Sequence, residues 1–214
     1  MLSEFEVIRN DIRDTRIFKK NYVLAINKCN SCLKLLNSVK NKSIKSDKWF
    51  CYHNMALSNK KLNNYNEAIK NELLAMNNTN GKTDFRYFSS LWMIAECNVL
   101  LGNNSEALKL YSECSSFYKY IEDDNLRTCI VWNKAKVYKN VRAMLRLIKI
   151  YETKNFNQVV KTYGDFEYDD ILTEMYKDLF NQYVESDNRS ELFKLTRILK
   201  DKTLRKELRL RLVA

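Results

Sequence analysis

The sequence predicts an all-α fold, and three observations point to it. The chain of 214 residues contains three Gly and no Pro. Tight β-hairpins and Gly-rich phosphate loops need residues with positive or fixed φ, so this composition leaves little material for them. Apolar residues recur every three to four positions along most of the chain, as amphipathic helices require. The polar connectors are short, so neighbouring helices are expected to be antiparallel.

Helix starts are marked by polar residues at capping spacing. Ser3 with Glu6, and Asn64 with Glu67, have the spacing of a capping box, and residues 46–47 are expected to cap the third helix. Residues 77–83 read as the most loop-like segment. Beyond the first helix, helices are predicted over 18–39, 46–61, 68–76, 84–101, 105–120, 125–139, 141–153, 155–163, 169–186, 189–200 and 202–212.

Three turn segments align with one another and indicate internal repeats. They are LNNYNEAIKNELLAM, LGNNSEALKLYSECS and KNFNQVVKTY, and each follows a helix that ends in large apolar residues. The segment NNYNEAI followed by Ala75 resembles the tetratricopeptide repeat. The matched positions are Tyr52, Met55, Ala56, Tyr65, Ala68 and Ala75 in a repeat over 49–82, Ile94, Ala95, Gly102, Ala107, Tyr111 and Cys114 in one over 88–121, and Tyr176, Leu179, Tyr183 and Leu192 in one over 173–206.

This resemblance implies a right-handed array of antiparallel helix pairs with capping helices at both ends. The expected organisation is an N-terminal helical cap over 1–45, repeats over 46–200 and a basic C-terminal helix over 201–214, in one continuous domain. The wide interval between Ala107 and Val159 suggests an extra helix over 125–139. In the turns, Gly102 suits a positive φ, and Asn63 is expected to replace it in the preceding repeat.

The resemblance also implies a role, namely binding of a protein or peptide partner on the concave face of the first helices. The residues that fall on this face are His53, Asn54, Trp92, Glu96, Trp132, Asn133 and Asn181. An Asn amide both donates and accepts hydrogen bonds, and Trp supplies rigid contact area. For both tryptophans, placement in the core is the alternative. The chain is also similar, more weakly, to peptide-pheromone receptors of the arbitrium type without their DNA-binding head, which favours a regulator or adaptor.

The C-terminal end is strongly basic. Residues 193–214 hold eight cations and two acids, which is +6 of the formal net charge of +11. Leucines at four-residue spacing give this end an apolar face that could close the array or form a homodimer. The alternative function is nucleic-acid binding through phosphate contacts. The cations assigned to it are Lys200, Lys202, Arg205, Lys206, Arg209 and Arg211.

A zinc site is the main metal alternative. Cys29 and Cys32 have C-x2-C spacing, and Cys51 and His53 follow. The first pair lies within a helix without the Gly or Pro turn that wraps a metal, so buried thiols are the favoured reading. We therefore expect no metal and no cofactor.

No catalytic motif is found. The single His restricts Ser-His and Cys-His mechanisms to His53, and the acidic clusters 122–124 and 167–170 fall at predicted helix starts, where carboxylates cap N–H groups. The chain is therefore expected not to be an enzyme. No apolar run is long enough to span a membrane and no signal-peptide core is present, so a cytoplasmic location is expected. Asn and Lys occur 25 times each, which indicates an AT-rich genome.

Overall fold

The computed structural model describes residues 4–38, 44–117, 124–153, 171–199 and 202–213, and all regular structure within them is α-helical. This confirms the predicted fold class. The helices are α1 (Glu4–Ile17), α2 (Tyr22–Ser38), α3 (Ile44–Lys61), α4 (Tyr65–Met76), α5 (Phe85–Leu100), α6 (Asn104–Ser116), α7 (Asp124–Val137), α8 (Val141–Thr153), α9 (Ile171–Glu185), α10 (Arg189–Ile198) and α11 (Lys202–Val213). None of these described helices combines the length and apolar character needed to cross a membrane.

The chain divides into two compact units, Met1–Ile130 and Val131–Ala214. In the first unit, one core cluster joins α1, α2 and α3 with Ala75 of α4, and a second joins α3, α4 and α5 around Ala56, Ala68 and Cys97. In the second unit, one cluster gathers apolar side chains of α7 to α11. The predicted boundaries at residues 46 and 201 stay predictions.

Five helix–helix turns in the described ranges share one design. A residue with positive φ is followed by an Asn whose carbonyl accepts the N–H of the residue four positions later, at 3.0 or 3.1 Å. The turns therefore divide ten helices into five hairpins, each with a first and a second helix. The turn pairs are Lys20–Asn21, Asn63–Asn64, Gly102–Asn103, Lys139–Asn140 and Asp187–Asn188.

The backbone hydrogen bonds explain why a positive φ is needed here. In the second turn, the Asn64 N–H donates to the Asn59 carbonyl at 2.8 Å, and the Asn63 N–H donates to the Lys60 carbonyl at 3.1 Å. This is the Schellman pattern, which requires a left-handed residue after the helix. Asn63 has φ 61° and Gly102 has φ 79°, so the prediction that Asn63 replaces the turn glycine is confirmed.

The second helices keep a common buried register. Counted from the turn Asn, the residues at +4, +8 and +11 face the core wherever their side chains are described. Because +4, +8 and +11 lie on one side of a helix, this register fixes which face packs on the first helix. The sets are Ala25, Cys29 and Cys32; Ala68, Glu72 and Ala75; Ala107, Tyr111 and Cys114; Met144 and Ile148; and Leu192, Thr196 and Leu199.

Two capping predictions differ from the structure. α3 begins at Ile44, so Asp47 lies inside its first turn, where it pairs with Arg9 instead of capping the helix. Asn64 occupies the N-cap of α4, but its side chain makes no capping bond and Glu67 pairs with Lys70, so the predicted box does not form.

The helix over 125–139 is not an extra one. α7 enters the same Asn turn as the other first helices, so it is the first helix of a hairpin with α8. Ser3 and the predicted helix 155–163 lie outside the described residues.

Candidate partner-binding face

The seven residues predicted to bind a partner all lie on first helices. Those in the first unit belong to α3 and α5, and those in the second unit belong to α7 and α9. In chain order they are His53, Asn54, Trp92 and Glu96, then Trp132, Asn133 and Asn181. Four are buried, namely His53, Asn54, Trp92 and Trp132, and the other three are half-buried.

His53 is held inside the first unit by two contacts. Its ring stacks on Trp49 with the centroids 4.6 Å apart, and its Nδ1 lies 2.6 Å from Oε1 of Glu72 on α4. The Trp49 indole N–H in turn donates to Ser90 Oγ at 3.1 Å. The histidine therefore ties α3 to α4 and, through Trp49, to α5.

Glu72 is the residue that sequence reasoning missed. It is 0% exposed and sits at the +8 core position, where the other second helices carry Cys29, Tyr111, Ile148 and Thr196. Its Oε2 makes no hydrogen bond to another described group. A carboxyl group in a core position is costly unless it is hydrogen-bonded, so the contact with His53 offsets part of the cost of burying Glu72. The sequence signal that could have revealed Glu72 was an acidic residue on the apolar stripe of α4.

Asn54 receives a contact from the preceding first helix. The fully buried Arg16 donates from Nε to Asn54 Oδ1 at 3.0 Å, while Asn54 Nδ2 donates to the Phe50 carbonyl at 2.9 Å. Arg9 and Arg13 lie over the Phe50 ring at 5.4 and 5.3 Å from its centroid. A row of three arginines on α1 is thus directed at α3.

The α3–α5 contact is also ionic. Lys60 Nζ lies 2.5 Å from Glu96 Oε2. Burial opposes protonation of Lys60, but the charge of Glu96 and the hydrogen bond to it outweigh burial and raise the lysine pKa. Burial also raises the pKa of the neighbouring Cys97 thiol to about 12. Trp92, which is 1% exposed, belongs to the core of this unit.

Asp178 organises the corresponding contact in the second unit. It accepts the Trp132 indole N–H at 3.0 Å and the Lys136 ammonium at 2.8 Å, which joins α7 to α9. Asn181, one turn further along α9, accepts a hydrogen bond from Arg211 of α11 at 2.9 Å.

The cations that make these contacts occupy equivalent positions near the ends of their first helices. Lys60 and Lys136 each lie four residues before the turn Asn, and Arg16 lies five before it because the first turn is one residue longer. Each cation reaches a polar side chain of the next first helix, namely Asn54, Glu96 or Asp178. Within each unit, these first-helix polar groups therefore hold neighbouring hairpins together. Partner contacts by the four buried residues stay a prediction, and such contacts would have to displace these internal bonds.

The cysteines of the zinc alternative form a buried thiol cluster. Cys29, Cys32 and Cys51 are buried, and the Cys51 thiol is within hydrogen-bonding distance of the other two. The contact with Cys51 and burial raise the pKa of the Cys32 thiol, and the contact with Cys29 and burial raise that of Cys51. His53 is bonded to Glu72 instead of this cluster. Within the described ranges, no set of three or more His, Cys, Asp or Glu side chains is arranged to hold a metal ion.

The predicted basic residues have different surroundings. Lys200 and the side chain of Lys202 lie outside the described residues. Arg205 donates to the Leu199 carbonyl, and Arg211 lies over the Phe180 ring at 5.1 Å from its centroid. Two further cations, Lys206 and Arg209, are exposed. The acidic clusters 122–124 and 167–170 carry no described side chains.

The chain is similar to solved structures, but its sequence matches no protein family. No protein-family model matches the chain, and no curated protein matches it. A crystal structure of kinesin light chain-like TPR-like repeats from Podosopora anserina matches with TM-score 0.63 and 12% identity, over 98% of this chain and 96% of that one. A variant of the same protein matches with TM-score 0.64 and 12% identity, over 91% and 92%. The crystal structure of MamA matches with TM-score 0.49 and 11% identity, over 94% and 96%.

The two Podosopora anserina structures agree with the hairpins described above. Consecutive helices pack as pairs, and alanine occupies the buried +4 position of α2, α4 and α6. The chain is a tetratricopeptide-like helical protein.

Proposed function

We propose that the chain is a non-enzymatic module that binds a protein or peptide partner and acts as a regulator or adaptor. The observation that supports this best is a contrast between the inside and the outside of the hairpins. The buried register is kept at every described position of the five second helices, whereas the exposed positions change from one hairpin to the next. At +9, for example, α2, α4, α6 and α10 carry Asn30, Leu73, Ser112 and Arg197. A constant framework with a varied surface is typical of repeat proteins that present binding surfaces.

The first-helix residues that retain accessible surface are the proposed contacts. Glu96, Asn133 and Asn181 are half-buried, so part of each side chain faces solvent. An amide at the surface can pair with the backbone of an extended peptide through both its oxygen and its nitrogen. The Asn181 oxygen already accepts a hydrogen bond from Arg211, which a partner would have to share. The similarity to peptide-pheromone receptors favours a short peptide as the ligand.

The surroundings of the His and Cys side chains support a non-catalytic role. The single His of the chain is stacked on Trp49 and bonded to Glu72 inside the core. The raised pKa values of Cys32 and Cys51 disfavour the thiolate, which is the reactive form.

The test is affinity capture of partners from the source cell after nuclease treatment, with bound proteins quantified by mass spectrometry. We expect the double variant Asn133→Ala/Asn181→Ala to lose at least one partner that the wild type retains, and Glu96→Gln to weaken its capture. The matched control is Asn30→Ala/Asn66→Ala, which removes two exposed amides from second helices and should change nothing.

The nucleic-acid alternative predicts another outcome. Charge reversal at Lys206 and Arg209 would then abolish binding, and affinity would fall steeply with salt because counterions are released. Removing residues 193–214 is a poor test, since Leu195, Leu199 and Leu208 belong to the core of the second unit. Capture that survives the double amide variant but fails after charge reversal would overturn the proposal.

A further inference from the structure

Three of the second helices neutralise a surface lysine in the same way. Counted from the turn Asn, α4, α6 and α10 each carry a glutamate at +3 and a lysine at +6, which form an i, i+3 ion pair. The lysine therefore adds no net charge to the outer faces of these helices. The pairs, with their N–O distances, are Glu67–Lys70 at 3.4 Å, Glu106–Lys109 at 3.1 Å and Glu191–Lys194 at 2.6 Å.

The second helix α8 departs from this pattern. Its residue at +3 is Ala143, whereas Arg146 still provides a cation at +6. Two more exposed cations stand at +2 and +9, namely Arg142 and Lys149. In the other four second helices, these two positions hold a single cation, Arg197. In α8, three cations therefore occupy the outer positions without the acid at +3.

Helix geometry places the three cations of α8 on one face. Positions i, i+4 and i+7 lie within about 60° of one another around a helix axis, and their neighbours along the axis are about 6 and 4.5 Å apart. The buried Met144 and Ile148 lie on the opposite side of the helix. We call the three residues Arg142, Arg146 and Lys149 the α8 stripe.

The acids near the α8 stripe are bonded to other groups. The described side chains of α7, α8 and α9 include four acids, and Glu152, which is exposed three residues beyond Lys149, is the one on α8. No described acid pairs with Arg142 or Arg146. The stripe therefore keeps a positive charge. The four acids have the partners Glu152 with Tyr176, Glu174 with Lys177, Asp178 with Lys136 and Glu185 with Lys139.

Two apolar side chains border the α8 stripe. Leu145 is 38% exposed and Ile150 is 43% exposed. Five residues apart on the helix, they lie about 140° from each other, with the stripe between them. A macromolecule that covers the cations therefore also covers apolar surface on both sides of them.

We propose that the α8 stripe binds an acidic helix of a partner protein; this rests on the proposed function and names the chemistry of the partner. A helix lying along α8 presents carboxylates at i, i+4 and i+7 with the same axial spacing as the cations. Residues on one side of an extended strand are about 6.6 Å apart, so three of them span about 13 Å and fit the spacing less well.

The chemistry of the stripe favours this partner over two others. The guanidinium groups of Arg142 and Arg146 can each donate two parallel hydrogen bonds to a carboxylate. Nucleic-acid phosphates could accept the same bonds, but they would leave Leu145 and Ile150 without an apolar contact. A second copy of the chain using the same stripe would bring like charges together.

The probe is a synthetic helical peptide of about 18 residues, or five turns, with Glu at i, i+4, i+7 and i+11 and Leu on both flanks. Fluorescence anisotropy measures its affinity for the full chain. We expect Arg142→Gln/Arg146→Gln to lower the affinity about tenfold or more, because charge-assisted hydrogen bonds are lost. The matched control is Lys70→Gln/Lys109→Gln, which removes two exposed cations at +6 in the first unit and should bind like the wild type.

A second variant restores the missing acid. Ala143→Glu gives α8 the +3 acid of α4, α6 and α10, which should pair with Arg146 and lower the affinity for the peptide about threefold or more. Circular dichroism measures whether each variant keeps the helix content of the wild type. Because Ala143 is half-buried, the arginine variant decides the question if Ala143→Glu loses helix content.

Four results would overturn the inference. The first two are equal binding of a scrambled peptide of the same composition and an unchanged affinity in Arg142→Gln/Arg146→Gln. The third is a DNA duplex that binds more tightly than the peptide and loses affinity in the same variant. The fourth is tighter peptide binding after Asp169→Asn/Asp170→Asn, which would assign the stripe to acids of the chain itself.

Failure of this inference is distinguishable from failure of the proposed function. If the peptide does not bind but partner capture depends on Asn133 and Asn181, the acidic helix is wrong and the proposed function survives. If the peptide binds through the stripe but capture ignores both asparagines, the contacts assigned under the proposed function are wrong and the stripe survives.

Discussion

The buried pair of His53 and Glu72 is the most unusual feature at the scale of single residues. Repeat cores are built from small and apolar side chains, and here a carboxylate occupies one of those positions. A buried hydrogen-bonded pair of polar side chains gives little net stability compared with apolar residues, but each member left alone would be a buried polar group without its partner. The pair therefore acts as a constraint that selects one packing of α3 against α4.

Removing one member of the pair should be worse than removing both. We expect His53→Ala to lower the free energy of unfolding by about 1–3 kcal/mol, because Glu72 is then left buried without its partner. The double variant His53→Leu/Glu72→Leu should recover most of that loss. Urea unfolding followed by circular dichroism measures both values, and equal losses in the single and double variants would refute the coupling.

Asp84 provides a test by pH. It caps α5, accepting the Arg86 backbone N–H at 2.9 Å, and its carboxylate also bonds the Arg86 guanidinium. Burial raises the pKa of this carboxyl, but the hydrogen bonds from Arg86 and the Asn80 N–H outweigh burial and place it below the usual 3.8. The charged cap therefore contributes fully above pH 3.8 and its contribution is lost as pH falls through the lower folded-state value.

The comparison variant is Asp84→Asn, which keeps a capping oxygen but cannot ionise. The wild type should be the more stable at neutral pH, and the difference in urea midpoint should shrink as pH falls below about 4. A difference that stays constant down to pH about 2 would show that the charge of Asp84 contributes nothing.

At the scale of elements, each turn between paired helices contains a left-handed residue. Gly102 and Lys139 occupy the same left-handed position in two turns, and a Cβ at Gly102 would meet nothing within 4 Å. We expect Gly102→Ala to lower stability by about 1–2 kcal/mol through backbone strain alone. Lys139→Gly should raise it by up to about 1 kcal/mol, because it relieves the same strain. Thermal unfolding of both variants measures these changes in stability. Stability changes of the same sign in the two variants would contradict the explanation by backbone strain.

Helix order and most boundaries could be predicted because apolar periodicity is read directly from the sequence. The hairpin of α7 and α8 was missed because Lys139 and Met144 stand where Gly or Asn and Ala were expected, although the backbone turn is the same. The capping predictions at Asp47 and Asn64 failed because their surroundings offer other partners or geometry. A local motif does not contain that tertiary information.

The candidate site was harder to foresee for a related reason. Transferring the repeat register places residues on the correct helices, but it does not tell whether a polar side chain faces solvent or a neighbouring helix. Asn54 and Trp132 are used inside the chain by Arg16 and Asp178, which lie 38 and 46 residues away. Glu72 was overlooked because an acid on an amphipathic helix is usually assigned to the exposed face.

At the scale of the molecule, each unit combines a constant buried register with a varied surface. The first unit links its first helices through Arg16–Asn54 and Lys60–Glu96, and the second links them through Lys136–Asp178. Such cross-links make the first helices a framework, so recognition falls to the side chains that remain accessible. We therefore assign partner binding to Asn133 and to the accessible parts of Glu96 and Asn181, which also pair with Lys60 and Arg211.

The most direct measurement is a calorimetric titration of a captured protein partner into the wild type, Asn133→Ala/Asn181→Ala and Asn30→Ala/Asn66→Ala. The account predicts that the first pair of substitutions weakens binding about tenfold or more, or about 1.4 kcal/mol, while the control pair leaves the Kd unchanged. Equal affinities for all three proteins, or a partner that proves to be nucleic acid alone, would contradict it.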